Sequence, residues 1–161
     1  MKLTELVSPG SICIGWPGHT PDMPEKWAFL RDFSVFAASQ NHFSEEQTNE
    51  VRDLVLAREK SMTTGIGDGI AIPHATLPFL QNAVGAICIY KKGLEFDSID
   101  SQPIKIAILI LMPKNQFEKH IQTLASITRL MHDEKIRKNL LKQKDIEDAW
   151  KLIFSYEKDM G

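Results

Sequence analysis

Ile104-Lys-Ile-Ala-Ile-Leu-Ile-Leu-Met-Pro113 is the stretch of sequence that decides the fold. Isoleucine occupies every second position from Ile104 to Ile110, and the positions between them are apolar from Ala107 onward. A strand that is apolar on both faces needs other structure packed against each face, as in layered proteins with buried sheets. Pro113 has no backbone N–H and ends the strand. The stretch therefore predicts a buried strand that is covered on both sides.

Helices are predicted on both sides of this strand in the chain. One is expected at about 25–40, where three phenylalanines follow the helical period, and a second starts after Ser44, which forms a capping-box pattern with Gln47. Asn115 with Glu118 is expected to cap a third helix that runs to about 132. A short helix at 134–143 and a last one that begins at Asp145 complete the chain. Further strands are predicted at 83–90 and, briefly, at 11–15, so the class is α/β or α+β in three layers.

The composition predicts one water-soluble domain spanning 1–161. With 43% hydrophobic and 25% charged residues, the chain can bury about two-thirds of its unfolded surface. Its formal net charge of −2 supplies no basic field for nucleic acid or anionic lipid. We find no apolar run long enough to span a bilayer and no signal peptide, so we expect a cytoplasmic protein without membrane insertion.

The two cysteines support the same prediction about the compartment. Cys13 and Cys88 are far apart in the sequence, and isoleucine flanks each of them on both sides. Such contexts favour buried small hydrophobes over a disulfide or a metal site. A reducing, cytoplasmic compartment is therefore expected.

Three polar residues stand where the pattern alone would not place them. Arg58 shares a helix face with Val51, Leu54 and Val55, and His120 interrupts another apolar helix face. His74 follows a glycine-rich segment. Each has a structural interpretation when taken singly: an arginine that complements a helix dipole, a hydrogen-bonded core histidine and a common turn. Only their combination indicates a function.

Together these residues predict a site for moving a phosphoryl group. A neutral histidine ring is a nucleophile at neutral pH, which predicts His74 as the acceptor. The transferred group spreads negative charge over its oxygens, so donors have to be placed in advance. Arg58 would supply a planar fork and His120 a ring donor. A phosphate-binding loop would add hydroxyls and backbone N–H groups; its expected members are Thr63, Thr64, Gly65, Gly67 and Gly69.

The same residues carry a family resemblance. Arg58-Glu-Lys-Ser-Met-Thr-Thr-Gly-Ile-Gly-Asp-Gly-Ile-Ala-Ile-Pro-His74-Ala resembles the hallmark of the fructose/mannitol-type EIIA domains of the bacterial phosphoenolpyruvate-dependent phosphotransferase system. His120-Ile-Gln-Thr-Leu-Ala-Ser-Ile-Thr-Arg-Leu130 and Phe96-Asp-Ser-Ile-Asp-Ser-Gln-Pro-Ile104 are similar to two further family segments. The resemblance implies a mixed sheet of about five strands between helices. It also implies that phospho-HPr modifies His74 on Nε2, with His120 as the neighbouring active-site histidine and Arg58 as the phosphate-binding arginine.

The resemblance leaves the physiological role open. A standalone phosphorylation-dependent regulator of the nitrogen-related branch is favoured, with HPr or its nitrogen-type homologue as the donor and target proteins as partners. The alternative is a sugar-transport component that passes the phosphoryl group to an EIIB component. A binding module that has lost phosphorylation and a zinc site at His74 and His120 are weaker readings, the latter because a third ligand with recognisable spacing is lacking. No cofactor or metal is expected. The proline-rich segment Trp16–Pro24 departs from the family pattern, and its His19 is expected to lie on a surface loop.

Overall fold

Six helices and six strands make up residues 1–160, the part of the chain that the computed structural model describes. The helices are α1 (Leu3–Leu6), α2 (Lys26–Gln40), α3 (Glu45–Ser61), α4 (Phe117–Met131), α5 (Glu134–Lys142) and α6 (Ile146–Asp159). The strands are β1 (Ile12–Ile14), β2 (Gly65–Gly67), β3 (Ile70–Ala71), β4 (His74–Leu77), β5 (Val84–Leu94) and β6 (Ile104–Pro113). A 3₁₀ turn at Pro9–Ser11 precedes β1.

All six strands belong to one mixed sheet. Its order is β1-β5-β6-β3-β2, and β4 pairs with β6 beyond the end of β3. β5 runs antiparallel to β6, whereas β3 and β4 run parallel to it, and β1 runs parallel to β5. The predicted buried strand is thus the centre of the sheet, and the predicted three-layer α/β sandwich with a mixed sheet is confirmed.

Alternate residues of β6 face two separate hydrophobic clusters. Ile106, Ile108 and Ile110 pack with α1, α4, α5 and α6 on one side of the sheet. Ala107 and Leu109 pack with α2 and α3 on the other. Burying each large side chain fully contributes about 1.5–3 kcal/mol relative to leaving it exposed, so both faces of the strand stabilise the fold.

The helix starts follow the capping rules in two of the three predicted cases. Ser44 and Gln47 exchange the two hydrogen bonds of a capping box, and Asp145 accepts from the N–H groups of the first turn of α6. The predicted Asn115 cap is wrong, because α4 follows Gln116, whose side chain makes no capping bond. Asn115 instead has a φ of 67°, a left-handed conformation that asparagine tolerates better than most residues and that turns the chain after β6.

Two stretches that the sequence predicts as loops have different outcomes. In the loop predicted around Thr63–Gly69, residues Gly65–Gly67 form strand β2, so the prediction is wrong there; β3 and β4 follow it and were not predicted. The segment Trp16–Pro24 is irregular, as its prolines predict. Trp16 anchors it by donating from Nε1 to Asp32 (2.6 Å), and His19 within it is exposed.

The two cysteines lie side by side on neighbouring strands. Cys13 of β1 is in register with Cys88 of β5, so their separation in the sequence was misleading. Both thiols are free, and both lie near the Gly15 carbonyl oxygen, at 3.5 Å and 3.1 Å respectively. The hydrogen bond with Cys13, together with burial, raises the pKa of the Cys88 thiol well above its usual range. No helix within residues 1–160 combines the length and apolarity needed to cross a membrane.

Candidate functional site

His74 is the first residue of β4, where the neighbouring strand β6 holds its backbone in place. It pairs with Ile110 of the parallel strand β6, and the carbonyl of the preceding Pro73 accepts from Ile110 N (3.0 Å). The ring Nδ1 lies 2.9 Å from the Ile72 carbonyl oxygen. Because a carbonyl can only accept, Nδ1 must be the donor, and the neutral ring then carries its lone pair on Nε2.

The three residues singled out by the sequence line one cavity of about 510 Å³. Arg58 comes from the last turn of α3, His74 from the start of β4 and His120 from the first turn of α4. The rest of the lining is largely apolar and consists of Leu54, Ala57, Ala75, Thr76, Met112, Phe117, Ile121 and Leu124. Residues separated by up to 62 positions in the chain therefore meet because three elements converge at one end of β6.

Burial keeps the ring of His74 neutral. Removal from water lowers its pKa below the ordinary value of 6.5, since the charged form loses more hydration. The bond to the Ile72 carbonyl acts in the opposite direction, as does the charge of Glu59, while Arg58 and His120 lower the pKa further. A neutral ring with an unprotonated Nε2 is consequently the main form at pH 7.

Arg58 has one of its donors already engaged. Its Nη1 donates to the Met62 carbonyl oxygen (2.8 Å), which caps the C-terminal end of α3. The side chain is half-buried and lines the cavity. A guanidinium presents five N–H donors in a planar fork, so the capping bond leaves others that can face an anion.

His120 brings an unusual polar atom to the cavity. Within residues 1–160, its Nε2 is buried and has no hydrogen-bond partner. An unpaired polar group removed from water is costly, and one such atom in a cavity next to another histidine indicates a place for a ligand with acceptor oxygens. Phe117 and Ile121 lie beside it with 74% and 52% of their surfaces exposed, which makes an apolar rim.

The predicted phosphate-binding loop lies elsewhere. Thr63, Thr64, Gly65, Gly67 and Gly69 are absent from the lining of the cavity in the described part of the chain. Thr63 donates to the Phe96 carbonyl oxygen (3.2 Å), and Thr64 donates to Glu59 (2.6 Å). A side chain at Gly65 would collide with Ser98, and the positive φ of Gly69 serves the turn between β2 and β3. The hydroxyls and glycines thus have structural roles, and the geometry gives the loop prediction no support.

Glu59 is the residue near the site that the sequence reasoning missed. It follows Val51 and Val55 at helical spacing, and all three side chains are buried. Its carboxylate accepts from Thr64 N and Thr64 Oγ1 and lies 3.1 Å from Lys26 Nζ. An acidic residue at the next position of an apolar stripe was the signal that could have found it.

The donor set at the cavity offers little to a metal ion. In the described residues, no group of three or more histidine, cysteine, aspartate or glutamate side chains is arranged to hold one. The cavity itself brings together two imidazoles and a guanidinium, a set suited to an anion.

Comparison with known proteins places these features in a family context. The model of a family described as "Phosphoenolpyruvate-dependent sugar phosphotransferase system, EIIA 2" matches residues 31–156, which include all three cavity residues. The chain is 31% identical over 153 residues to a nitrogen regulatory protein of Bradyrhizobium diazoefficiens, covering 95% of each chain. It is 37% identical over 113 residues to the fructose-specific EIIA component of the phosphotransferase system of Haloferax volcanii, covering 70% of each. Its fold is similar to the crystal structure of the nitrogen regulatory protein IIA-Ntr from Neisseria meningitidis, with a TM-score of 0.80, 22% identity, and coverage of 93% of this chain and 97% of that one.

Proposed function

The chain belongs to the EIIA 2 family of the phosphoenolpyruvate-dependent sugar phosphotransferase system, and from that premise we propose that it carries a phosphoryl group on Nε2 of His74. The observation that carries the proposal is the 2.9 Å contact between His74 Nδ1 and the Ile72 carbonyl oxygen. It assigns the proton to Nδ1 and the lone pair to Nε2, which is the arrangement that a nitrogen nucleophile requires.

The transfer is a displacement at phosphorus. The lone pair of His74 Nε2 forms the new N–P bond while the N–P bond to the donor's phosphohistidine breaks, and the donor ring keeps that electron pair. Nδ1 of His74 holds its proton against the Ile72 carbonyl throughout, so the phosphorylated ring needs no new proton. The donor in this step is phospho-HPr or its nitrogen-type homologue.

The cavity stabilises the charge that arrives. Arg58, which has free N–H donors, and His120, whose Nε2 has no partner within residues 1–160, line the same cavity as His74. Donors that are already in place and poorly hydrated stabilise a developing anion more than flexible, hydrated ones do. Arg58 and His120 therefore act on the phosphoryl oxygens, while His74 forms the covalent bond.

The role favoured for this carrier is that of a phosphorylation-dependent regulator. The nitrogen regulatory relative aligns over 95% of both chains, whereas the fructose-specific relative, although 37% identical, aligns over 70%. The second candidate, transfer to an EIIB component during sugar uptake, rests on that higher identity. Mixing the phosphorylated protein with candidate EIIB components separates the two roles, because only a transport component will hand the group on rapidly.

Intact-mass analysis tests the acceptor assignment. The purified protein is mixed with phosphoenolpyruvate, Enzyme I and HPr, and a His74→Ala variant is treated in parallel. A His19→Ala variant is the matched control, since His19 is an exposed histidine of the segment Trp16–Pro24. We expect one acid-labile phosphoryl group on the wild type and on the His19 variant and none on the His74 variant. A full mass gain in the His74 variant would assign the acceptor elsewhere.

A further inference from the structure

Glu59 presents a buried charge on an otherwise apolar helix stripe. Its side chain is 1% exposed and pairs with Lys26, whose side chain is 11% exposed. Buried ion pairs are often no more stabilising than apolar side chains of the same size, because both charges lose their hydration. On an apolar helix stripe with Val51 and Val55, a leucine would serve packing as well. The carboxylate therefore calls for a role beyond packing.

A continuous series of hydrogen bonds leads from this carboxylate to the ring of His74. Glu59 accepts from Thr64 N at 2.7 Å and from Thr64 Oγ1 at 2.6 Å. The Thr64 carbonyl oxygen accepts from Ile72 N at 3.0 Å, and the Ile72 carbonyl oxygen lies 2.9 Å from His74 Nδ1. Thr64 and Ile72 each take part in two consecutive links of this series, one through the N–H group and one through the carbonyl.

We propose that Glu59 is a positioning residue for His74: by holding Thr64 with two hydrogen bonds, it fixes the Ile72 carbonyl that keeps the proton on Nδ1 and aims Nε2 into the cavity. The inference rests on the proposed function for its biological meaning, since an aimed Nε2 matters only for an acceptor. Arg58 and Glu59 are adjacent on the last turn of α3. The end of this helix therefore supplies a hydrogen-bond donor for an anion, Arg58, and a carboxylate that clamps Thr64 through two hydrogen bonds, Glu59.

Lys26 compensates the negative charge of Glu59. Its Nζ lies 3.1 Å from Glu59 Oε2, 3.5 Å from Thr63 Oγ1 and 4.5 Å from the centre of the Phe96 ring. The clamp depends on two hydrogen bonds to Thr64, which a neutral amide can also make. Glutamine at position 59 can accept from Thr64 N with its oxygen and donate to Thr64 Oγ1 with its nitrogen. Glu59→Gln therefore separates hydrogen bonding from charge.

The first measurement needs no phosphorylation. Ring ¹⁵N chemical shifts of His74 at pH 8 report which nitrogen carries the proton. We expect the Nδ1–H form in the wild type and in Glu59→Gln, and a mixture of both tautomers in Glu59→Ala. Glu157→Ala is the matched control, because it removes another buried glutamate that accepts from backbone N–H groups, at Leu3 and Thr4, remote from the cavity. The control should leave the His74 shifts unchanged.

The second measurement is the rate of phosphoryl transfer from phospho-HPr. Glu59→Ala should lose about tenfold to a hundredfold, the range expected when a reacting atom is misplaced by about 1 Å. Glu59→Gln should restore most of this rate. If Glu59→Ala does not fold, Thr64→Val replaces it in the test, because it removes only the hydrogen bond from Thr64 Oγ1 to Glu59. The ring shifts of His74 and the transfer rate should then change in the same direction as in Glu59→Ala, but by less.

The outcomes separate this inference from the proposed function. Wild-type ring shifts and rate in folded Glu59→Ala would overturn the positioning role, and so would a Glu59→Gln variant as impaired as Glu59→Ala. A wild type that accepts no phosphoryl group would overturn the proposed function instead, while the ring shifts would still decide whether Glu59 orients His74.

Discussion

Because Nε2 of His120 has no partner within residues 1–160, we predict that substituting His120 affects the unphosphorylated and the phosphorylated protein differently. In the unphosphorylated chain this atom is buried and makes no hydrogen bond within residues 1–160. Replacing His120 with alanine therefore removes no hydrogen bond of this atom in that state. After phosphorylation of His74, the same atom would donate to a phosphoryl oxygen, and the variant would lose that bond.

The size of the effect follows from the charge of the acceptor. A hydrogen bond to a charged group contributes about 1.5–3 kcal/mol. At about 1.4 kcal/mol for each factor of ten, His120→Ala should shift the transfer equilibrium away from phosphorylated His74 by roughly 10-fold to 150-fold. The free energy of unfolding of the unphosphorylated protein should change by less than about 1 kcal/mol, since the side chain is only half-buried.

The assay equilibrates the protein with phospho-HPr and measures all four species by intact mass at several ratios. His120→Gln is the control, because its amide nitrogen can donate from nearly the same place as Nε2 and should recover most of the loss. Thermal unfolding of each unphosphorylated variant measures the change in the free energy of unfolding. An equilibrium constant for His120→Ala within about twofold of the wild type, in a protein of normal stability, would refute the reasoning.

Three further predictions test other features of the structure. Burial lowers the pKa of His74 below 6.5, so just below that pH the folded protein binds fewer protons than the unfolded chain. The free energy of unfolding should therefore fall as the pH drops from 6.5 towards the lower pKa of the folded state. Urea unfolding at each pH measures this fall, and it should be absent in His74→Ala. Glu157→Ala leaves the N–H groups of Leu3 and Thr4 and the Thr4 hydroxyl without their acceptor. Urea unfolding should therefore show a free energy of unfolding lower by about 3 kcal/mol. A decrease of less than about 1 kcal/mol would show that water replaces the carboxylate. A thiol reagent at pH 7 should label half-buried Cys13 before Cys88, whose thiol is buried and has a raised pKa, and equal rates measured by peptide mapping would contradict the burial of Cys88.

Apart from the short strand β1, most elements that the sequence predicted correctly are long ones. β6 spans ten residues and α3 spans seventeen, so each repeats its period several times and one exceptional residue does not hide it. His74 was singled out by the glycine-rich segment before it, and Arg58 and His120 for a reason related to element length. A polar residue on an apolar stripe stands out once the stripe itself is long enough to recognise.

The features that the sequence could not supply depend on partners distant in the chain. β2, β3 and β4 have two to four residues each and are strands only because β6 and one another complete their hydrogen bonds. The register that places Cys13 beside Cys88 depends on the same kind of pairing, across 75 positions. Glu59 was missed although it stands on the apolar stripe of Val51 and Val55, because its partners Lys26 and Thr64 lie outside α3 and the sequence does not show that they meet it.

If His74 carries a phosphoryl group as proposed, the charge of the cavity makes that modification a strong signal. Among the described residues that line it, Arg58 is the one with a formal charge at neutral pH, so the unphosphorylated cavity is weakly positive. A phosphoryl group adds about −1.5 to −2, as on other phosphorylated side chains, and reverses that sign. The exposed apolar surfaces of Phe117 and Ile121 lie at the edge of the same cavity, so a protein that buries them must also accept or exclude the phosphoryl charge. Two states that differ by a reversal of charge beside an apolar contact surface differ strongly in their affinity for any one partner, and this property suits a regulator as directly as it suits a carrier.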